Sequence, residues 1–109
     1  MPFQYYLDSD LARKCSKDPV TAKTIFTRAT KRLEYVKPQE INQDNASFIF
    51  EDIYEVIREC VQALMMKDGF KPYSHEATIA FAIDRYREKF GDKLINTFDR
   101  YRVIRNEHV

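Results

Sequence analysis

The chain has 109 residues, of which 44% are hydrophobic and 32% are charged, and its formal net charge at pH 7 is +1. This length and composition suit one folded domain and exclude a disordered tail. Only two glycines and four prolines are present, which argues against a turn-rich β-sandwich and favours long helices. Because the net charge is so small, any binding to nucleic acid must depend on how the charges are distributed.

Membrane, secretion and metal-binding classes find no support in the sequence. No segment approaches the roughly 18 apolar residues that span a bilayer, and the first residues lack the pattern of a signal peptide. Cys15 and Cys60 are too few and too far apart for a disulfide framework or a zinc site. We therefore expect a cytoplasmic protein without membrane contact, metal or cofactor, with Cys60 as a small core residue.

The first half of the chain predicts one short and two long helices. Residues from Leu7 to Lys14 can form the short one. Asp18-Pro19 then suits a helix start, because Asp caps free amides and Pro fits the first turn. Lys37-Pro38 ends this helix. Its expected buried stripe is Val20, Ile25, Phe26, Ala29 and Leu33. After a polar loop at 42–45, the next helix has the clearest stripe, at Ile49, Ile53, Val56, Ile57, Cys60 and Leu64.

The second half predicts two further helices. Asp68-Gly69 ends the preceding helix, because Gly tolerates the left-handed turn of a helix terminus. Residues 71–73 are expected to be extended, and Ser74 can cap the third long helix. Gly91 breaks that helix, and a fourth begins near Asp92. The third helix is expected to bury Ile79, Ile83, Tyr86 and Phe90.

These elements predict an all-α fold, an antiparallel up-and-down bundle of four to five helices that forms a single domain over residues 1–109. Short loops between helices favour antiparallel neighbours, and no repeat or long linker divides the chain. The fifteen aromatic residues either fill the core or form part of a subunit interface.

The last helix changes character towards its end. At about 100° per residue, one sector of this helix holds Leu94, Phe98, Tyr101 and Arg105. Arg102 and His108 border the same sector. Charge on the buried side of a helix is costly unless it is paired or used. Such a departure from the apolar pattern often marks a functional site.

The residues at this end suit phosphodiester chemistry without a metal. Arg102 and Arg105 offer planar sets of donors that hold phosphate, and His108 can move a proton near neutral pH. Asn106 can orient a ligand or a water molecule. A base would activate the ribose 2′-hydroxyl while the cations stabilise the phosphorane. The alternative is a solvated basic helix end that complements the helix dipole.

A second candidate region precedes the third long helix. Lys71 and Tyr73, together with His75, are candidates to bind RNA by charge and stacking, although a plain surface loop has the same pattern. His75 and Glu76 stand at the helix start, where capping and first-turn electrostatics explain them better than a metal site. The first long helix also has a basic face, formed by Arg28, Lys31 and Arg32, which suits either phosphate contact or solvent.

The expected helical layout, the segment 69–77 (Gly-Phe-Lys-Pro-Tyr-Ser-His-Glu-Ala) and the pair Arg105-Asn106 resemble the HEPN domain family over most of the chain. The family motif is an Arg, usually followed by a polar residue such as Asn, and then a His four to six residues later. The resemblance implies a helical bundle that forms a homodimer in which the two motifs face each other. It also implies metal-independent ribonuclease activity, which in some members is that of a toxin paired with a minimal nucleotidyltransferase antitoxin.

The motif spacing leaves more than one function open. Two residues lie between Arg105 and His108, whereas five lie between Arg102 and His108, and the sequence ends at Val109. Either the chain is shortened, or the motif binds RNA or nucleotide without cleavage. We expect RNA cleavage or binding, with Arg102, Arg105, Asn106 and His108 at the site. The alternatives are a non-catalytic module whose Arg cluster docks a nucleotidyltransferase partner, and a structural bundle without a ligand.

Overall fold

The computed structural model describes the backbone of residues 1–108 and the side chains of residues 1–105. It is mostly helical, which agrees with the predicted helical class. Four helices contain 74% of the residues, and two short strands form a small sheet. The elements in chain order are α1 (Phe3–Asp8), β1 (Ala12–Lys14), α2 (Pro19–Val36), α3 (Ala46–Asp68), β2 (Phe70–Pro72) and α4 (His75–His108). Within residues 1–108, no helix combines the length and apolar character needed to cross a membrane.

The short helix lies earlier than the sequence predicted, and part of the expected helix is a strand. The backbone N–H of Phe3 donates to the Asp84 carboxylate at 2.7 Å, which fixes the start of α1 against α4. After α1, Ala12 lies opposite Pro72 and Lys14 lies opposite Phe70 in an antiparallel pair of strands. Residues 71 and 72 are extended, as predicted, and they supply this pairing. The strand partner is 60 residues away, beyond the reach of a local pattern.

Helix α2 starts where predicted, but of the predicted stripe it buries only Ala29. The Asp18 carboxylate accepts a hydrogen bond from the backbone N–H of Thr21 at 2.9 Å. Val20 and Phe26 are nevertheless 76% and 56% exposed. The buried residues are smaller and stand seven apart, at Ala22, Ala29 and Val36. Small side chains let two helix backbones approach closely, so they face α3, and the larger apolar residues remain on the flanks.

An ion network fastens α2 to α3 and accounts for part of the predicted basic face. The Nε of Arg32 donates to Glu59 at 3.0 Å, and its Nη1 donates to Asp52 at 3.3 Å. The Nε of Arg28 lies 3.7 Å from the same Glu59 carboxylate, which is only 6% exposed. Two of the three basic residues are therefore paired, while Lys31 remains exposed.

The end of α3 requires glycine at position 69, as the sequence predicted. Gly69 has φ 91° and ψ 42°, in the left-handed region, where other residues are strained. A Cβ atom there would lie 2.8 Å from the backbone oxygen of Cys15. The backbone N–H of Cys15 also donates to the Gly69 oxygen at 2.9 Å. The close approach of these two segments aligns β1 with β2.

Helix α4 is divided at Gly91, as predicted. Gly91 has φ 79° and ψ 155°, so its backbone is not helical, and it separates segments 75–90 and 92–108. The first segment begins at a cap, where Ser74 Oγ accepts a hydrogen bond from the N–H of Ala77 at 3.1 Å. Helix α3 lies between α2 on one side and α4 on the other.

The core lies where α1, α3, α4 and the sheet meet. Phe81 is fully buried, and its ring centroid is 5.3 Å from that of Phe3 and 5.8 Å from that of Phe70. Such offset and edge-on arrangements are favourable for aromatic pairs. The other buried members include Ala12, Tyr54, Val61, Met65, Ala77, Ile79, Ile95 and Phe98. Many of the aromatic residues thus fill the core.

Candidate functional site

Arg105 lies on the same face of the last helix as Phe98, and this face packs against α3. Its guanidinium carbon is 5.7 Å from the ring centroid of Tyr54, and its Nε is 3.4 Å from Oε2 of Glu51. That contact does not have hydrogen-bond geometry, and the buried Nε has no hydrogen-bond partner in the part of the chain that the structure describes. A buried donor without a partner is unusual, since it costs free energy of folding.

Tyr54 links Arg105 to the start of α4. Its side chain is fully buried, and its hydroxyl lies 3.0 Å from Nδ1 of His75. Burial raises the pKa of Tyr54 to about 12, although the charge of Arg105 lowers it in part. The hydroxyl therefore keeps its proton at neutral pH.

His75, at the start of α4, is the partner of Tyr54 in this hydrogen bond. Burial lowers its pKa below the ordinary value of 6.5, and the charges of Arg105 and Arg58 lower it further. The imidazole is therefore neutral at pH 7, since burial and neighbouring cations both oppose its protonation. His75 is half-buried, whereas Lys71 and Tyr73 are exposed, and its ring centroid lies 5.6 Å from that of Tyr54.

Arg58 and Glu55 complete this group of residues. Nη2 of Arg58 donates to Oε2 of Glu55 at 2.7 Å, and Nη1 donates to Gln62 at 3.2 Å. Burial raises the pKa of Glu55, but its hydrogen bonds from Arg58 and the Arg58 charge outweigh burial, so the net pKa lies below the usual value. We call the six residues Glu51, Tyr54, Glu55, Arg58, His75 and Arg105 the Arg105 cluster.

Arg102 has different partners from Arg105. Its Nη1 donates to Glu76 at 3.2 Å and its Nε donates to Asp99 at 3.1 Å. It also lines a hollow of about 220 Å³ beside Tyr6. Arg102 and Arg105, three residues apart on the last helix, are therefore paired with different carboxylates. The side chains of Asn106 and His108, to which the sequence assigned orientation and proton transfer, lie outside the described residues.

Lys71 and Tyr73 come together at the sheet, where a third residue joins them. Nζ of Lys71 is 5.8 Å from the ring centroid of Tyr73, and the guanidinium carbon of Arg13 is 5.5 Å from it. Arg13 lies opposite Lys71 in the strand register. Tyr73 is 52% exposed, so this ring, flanked by two cations, can be reached from solution.

Helix α3 contributes four residues to the Arg105 cluster, and none of them was predicted from the sequence. Tyr54 and Arg58 are four residues apart, as are Glu51 and Glu55, and this spacing places each pair on one helix face. That regularity was present in the sequence, but the apolar stripe drew the prediction to the other side of α3. In residues 1–105, no three or more His, Cys, Asp or Glu side chains are grouped to hold a metal ion.

The Arg105 cluster combines four chemical properties. It has two guanidinium groups, a neutral imidazole, a protonated phenol and two carboxylates within a half-buried region between α3 and α4. Arginine can exchange a carboxylate for a phosphate, since both accept its planar set of donors. Comparison with protein-family models, with curated proteins and with solved structures gave no match.

Proposed function

We propose that this chain is a HEPN-like antiparallel helical bundle that binds RNA through phosphate contacts and cleaves it without a metal ion. The observation that supports the proposal most directly is Arg105, a paired arginine whose buried Nε still lacks a hydrogen bond among the described residues. A phosphate oxygen can accept from this donor at the helix end where the motif residues Asn106 and His108 follow in sequence.

In the proposed step, Arg105 exchanges its contact with Glu51 for a phosphodiester of the RNA. His108 takes the proton of the ribose 2′-hydroxyl, and the 2′-oxygen forms a bond to phosphorus. The bond from phosphorus to the 5′-oxygen breaks, and that oxygen receives the proton that His108 took from the 2′-hydroxyl. The products are a 2′,3′-cyclic phosphate and a free 5′-hydroxyl. Arg102 and Arg105 stabilise the charge of the phosphorane, and Asn106 orients the group.

The remaining residues of the Arg105 cluster hold Arg105 in place. The ring of Tyr54 supports the guanidinium, and the hydrogen bond between Tyr54 and His75 fixes that ring. Because the lowered pKa keeps His75 neutral, no third positive charge is added beside Arg58 and Arg105. The two guanidinium groups are therefore free of further repulsion from within the cluster.

Further proposals follow from the resemblance. The protein would form a homodimer through the face that includes the last helix, so that two motifs meet. It would act in the cytoplasm as the toxin of a toxin–antitoxin pair, with a minimal nucleotidyltransferase as its antitoxin. Lys71 and Tyr73, with Arg13, would hold RNA beyond the cleavage site, since an exposed ring between cations suits base stacking and phosphate contact.

The test is cleavage and binding of a structured RNA by the purified protein in EDTA. We expect wild type to cleave, His108→Ala to bind RNA without cleaving it, and Arg105→Ala to lose at least about tenfold in RNA affinity, since a charge-assisted contact contributes about 1.5–3 kcal/mol. Arg87→Ala is the matched control, because Arg87 is also an arginine of α4 that pairs with a carboxylate, that of Asp92. It lies 18 positions before Arg105 and outside the Arg105 cluster. Failure of the folded protein to bind RNA would reject the proposal.

The second candidate is a non-catalytic module that docks a nucleotidyltransferase. It is favoured by the pairing of Arg58, Arg102 and Arg105 with carboxylates, because paired arginines can serve as structural anchors. Expression in cells separates the two functions. Growth arrest that His108→Ala relieves supports the nuclease, whereas unchanged growth with stable binding of the nucleotidyltransferase supports the module.

A further inference from the structure

An open apolar groove lies on the side of α3 away from the Arg105 cluster. It consists of two hollows that share Cys60 and Phe90. One has a volume of about 560 Å³ and lies between α2 and α3, and the other has a volume of about 240 Å³ and lies between α3 and α4 around Gly91. We call the two together the α2–α4 groove.

The surface of the α2–α4 groove is apolar throughout its inner part. All residues that line the smaller hollow are hydrophobic, including Val56, Cys60 and Leu94. Phe26, on the α2 wall, is 56% exposed, and Leu94, on the α4 wall, is 43% exposed. Single exposed apolar residues are ordinary, but a continuous apolar groove marks a binding surface.

The dimensions of the groove suit a helix. Val56 and Lys67 line its two ends, and the eleven helical steps from one to the other along α3 span about 16 Å, or three helical turns. A helix of that length presents apolar residues at i, i+4 and i+7 along one face. Recognition of an amphipathic helix in an apolar groove uses this spacing.

The positive charges at the rim of the groove favour a bound helix that carries acidic side chains. Lys23 and Lys67 line the larger hollow, and none of the residues that line either hollow, within the described part of the chain, is acidic. Carboxylates on the flanks of a bound helix would complement these cations and exclude basic competitors.

A second copy of the chain fits the groove less well than an acidic partner does. A twofold dimer places the same patch of both subunits face to face. With the twofold axis through the groove, Lys23 and Lys67 of one subunit would lie near the same lysines of the other. Like charges brought together at an interface cost free energy, so the rim opposes this pairing.

We propose that the α2–α4 groove binds an amphipathic helix of a partner protein, with apolar residues at i, i+4 and i+7 and with Asp or Glu on its flanks. This inference does not depend on RNA binding or cleavage, since it concerns the opposite side of α3. It adds to the protein a docking surface separate from the proposed catalytic end of the last helix.

The test uses three synthetic 15-residue peptides and fluorescence anisotropy with the whole protein. One peptide has Leu at i, i+4, i+7 and i+11 with Glu on both flanks, the second has Lys in place of Glu, and the third has the first composition in scrambled order. We expect the Glu peptide to bind at least tenfold more tightly than the other two. Lys23→Glu/Lys67→Glu should reverse the preference between the Glu and Lys peptides.

Two surface variants locate the binding. Phe26→Ser should weaken binding of the Glu peptide at least fivefold, whereas Phe48→Ser should leave it unchanged, because Phe48 is 69% exposed but does not line the groove. Equal binding of the Glu and Lys peptides would overturn the proposal. So would the absence of binding by all three, or a dimer that Phe26→Ser dissociates and that no peptide displaces.

Discussion

The two sides of α3 solve the burial of a helix in opposite ways. Towards α4, the helix presents a fully buried aromatic ring, Tyr54, and charged groups that each have a partner. Towards the α2–α4 groove, it presents apolar side chains such as Cys60 and Leu64 that remain half-buried. Residues on the first side are covered by other parts of the chain, whereas residues on the second side line an open groove. A strongly apolar face is therefore not always the core.

The largest expected effect comes from a truncation on the packed side. We expect Phe81→Ala to lower the free energy of unfolding by about 3–5 kcal/mol, because removing a fully buried ring loses its transfer energy and leaves a cavity. Phe26→Ala, on the open side, should lower it by less than about 1 kcal/mol, since that ring is more than half exposed. Urea unfolding of both variants measures the contrast.

Equal losses for these two variants would contradict the contrast between the packed and the open side of α3. Such a result would mean that another molecule buries Phe26 in solution. Sedimentation of the wild type at the same concentration would then show whether a second copy provides that burial.

The contrast also explains what the sequence could reveal. The stripe from Ile49 to Leu64 was the clearest pattern in the chain, yet only Ile49 and Val56 of its six members are buried. Tyr54, Val61 and Met65, which do not belong to that stripe, are buried more deeply. Periodicity detects amphipathic character but does not show which neighbour will cover a face, because that depends on residues far along the chain.

Local signals were more dependable than the stripes. The cap at Asp18, the left-handed turn at Gly69 and the break at Gly91 follow from the conformational preferences of single residues, and the structure confirms all three. The strand pair and the contact of Tyr54 with His75 join residues 60 and 21 positions apart. Such contacts leave no local pattern, so the sequence did not show that Tyr54 and His75 meet beside the last helix.

A second effect tests the ion network that holds α2 on α3. Glu59→Ala should lower the free energy of unfolding by about 1–3 kcal/mol, because it leaves the half-buried Arg32 with Asp52 alone. Arg28→Ala should change it by less than about 0.5 kcal/mol, since Arg28 is 74% exposed and surface pairs contribute little. Urea unfolding again gives both values, and a larger loss for Arg28→Ala would contradict the assignment of Arg32 as the principal partner.

A smaller effect tests the hydrogen bond inside the Arg105 cluster. Tyr54→Phe keeps the ring beneath Arg105 but removes the hydroxyl that lies 3.0 Å from Nδ1 of His75. We expect a loss of about 1 kcal/mol, the typical net value of one hydrogen bond. Tyr86→Phe is the matched control, because its hydroxyl donates to Asp68 at 2.7 Å from a side chain that is only half-buried, where water can replace the lost hydrogen bond, so it should cost less.

The smallest expected effect is a dependence of stability on pH that arises from His75. The pKa of His75 is lowered in the folded chain, chiefly by burial and then by Arg105. The unfolded chain therefore binds this proton more tightly than the folded chain does. The contribution of neutral His75 to stability is complete above the unfolded pKa of about 6.5, and it is lost progressively as the pH falls below that value, down to the folded pKa.

Urea unfolding at a series of pH values between about 5 and 8 can isolate this contribution by comparing wild type with His75→Gln. The wild type should lose stability more steeply below pH 6.5, because Gln does not titrate. The same comparison with His108→Gln removes the only other imidazole of the chain and shows whether it contributes. Parallel curves for wild type and His75→Gln would mean that protonation of His75 does not reduce stability. The Arg105 cluster could then hold a third positive charge beside Arg58 and Arg105, contrary to the lowered pKa of His75.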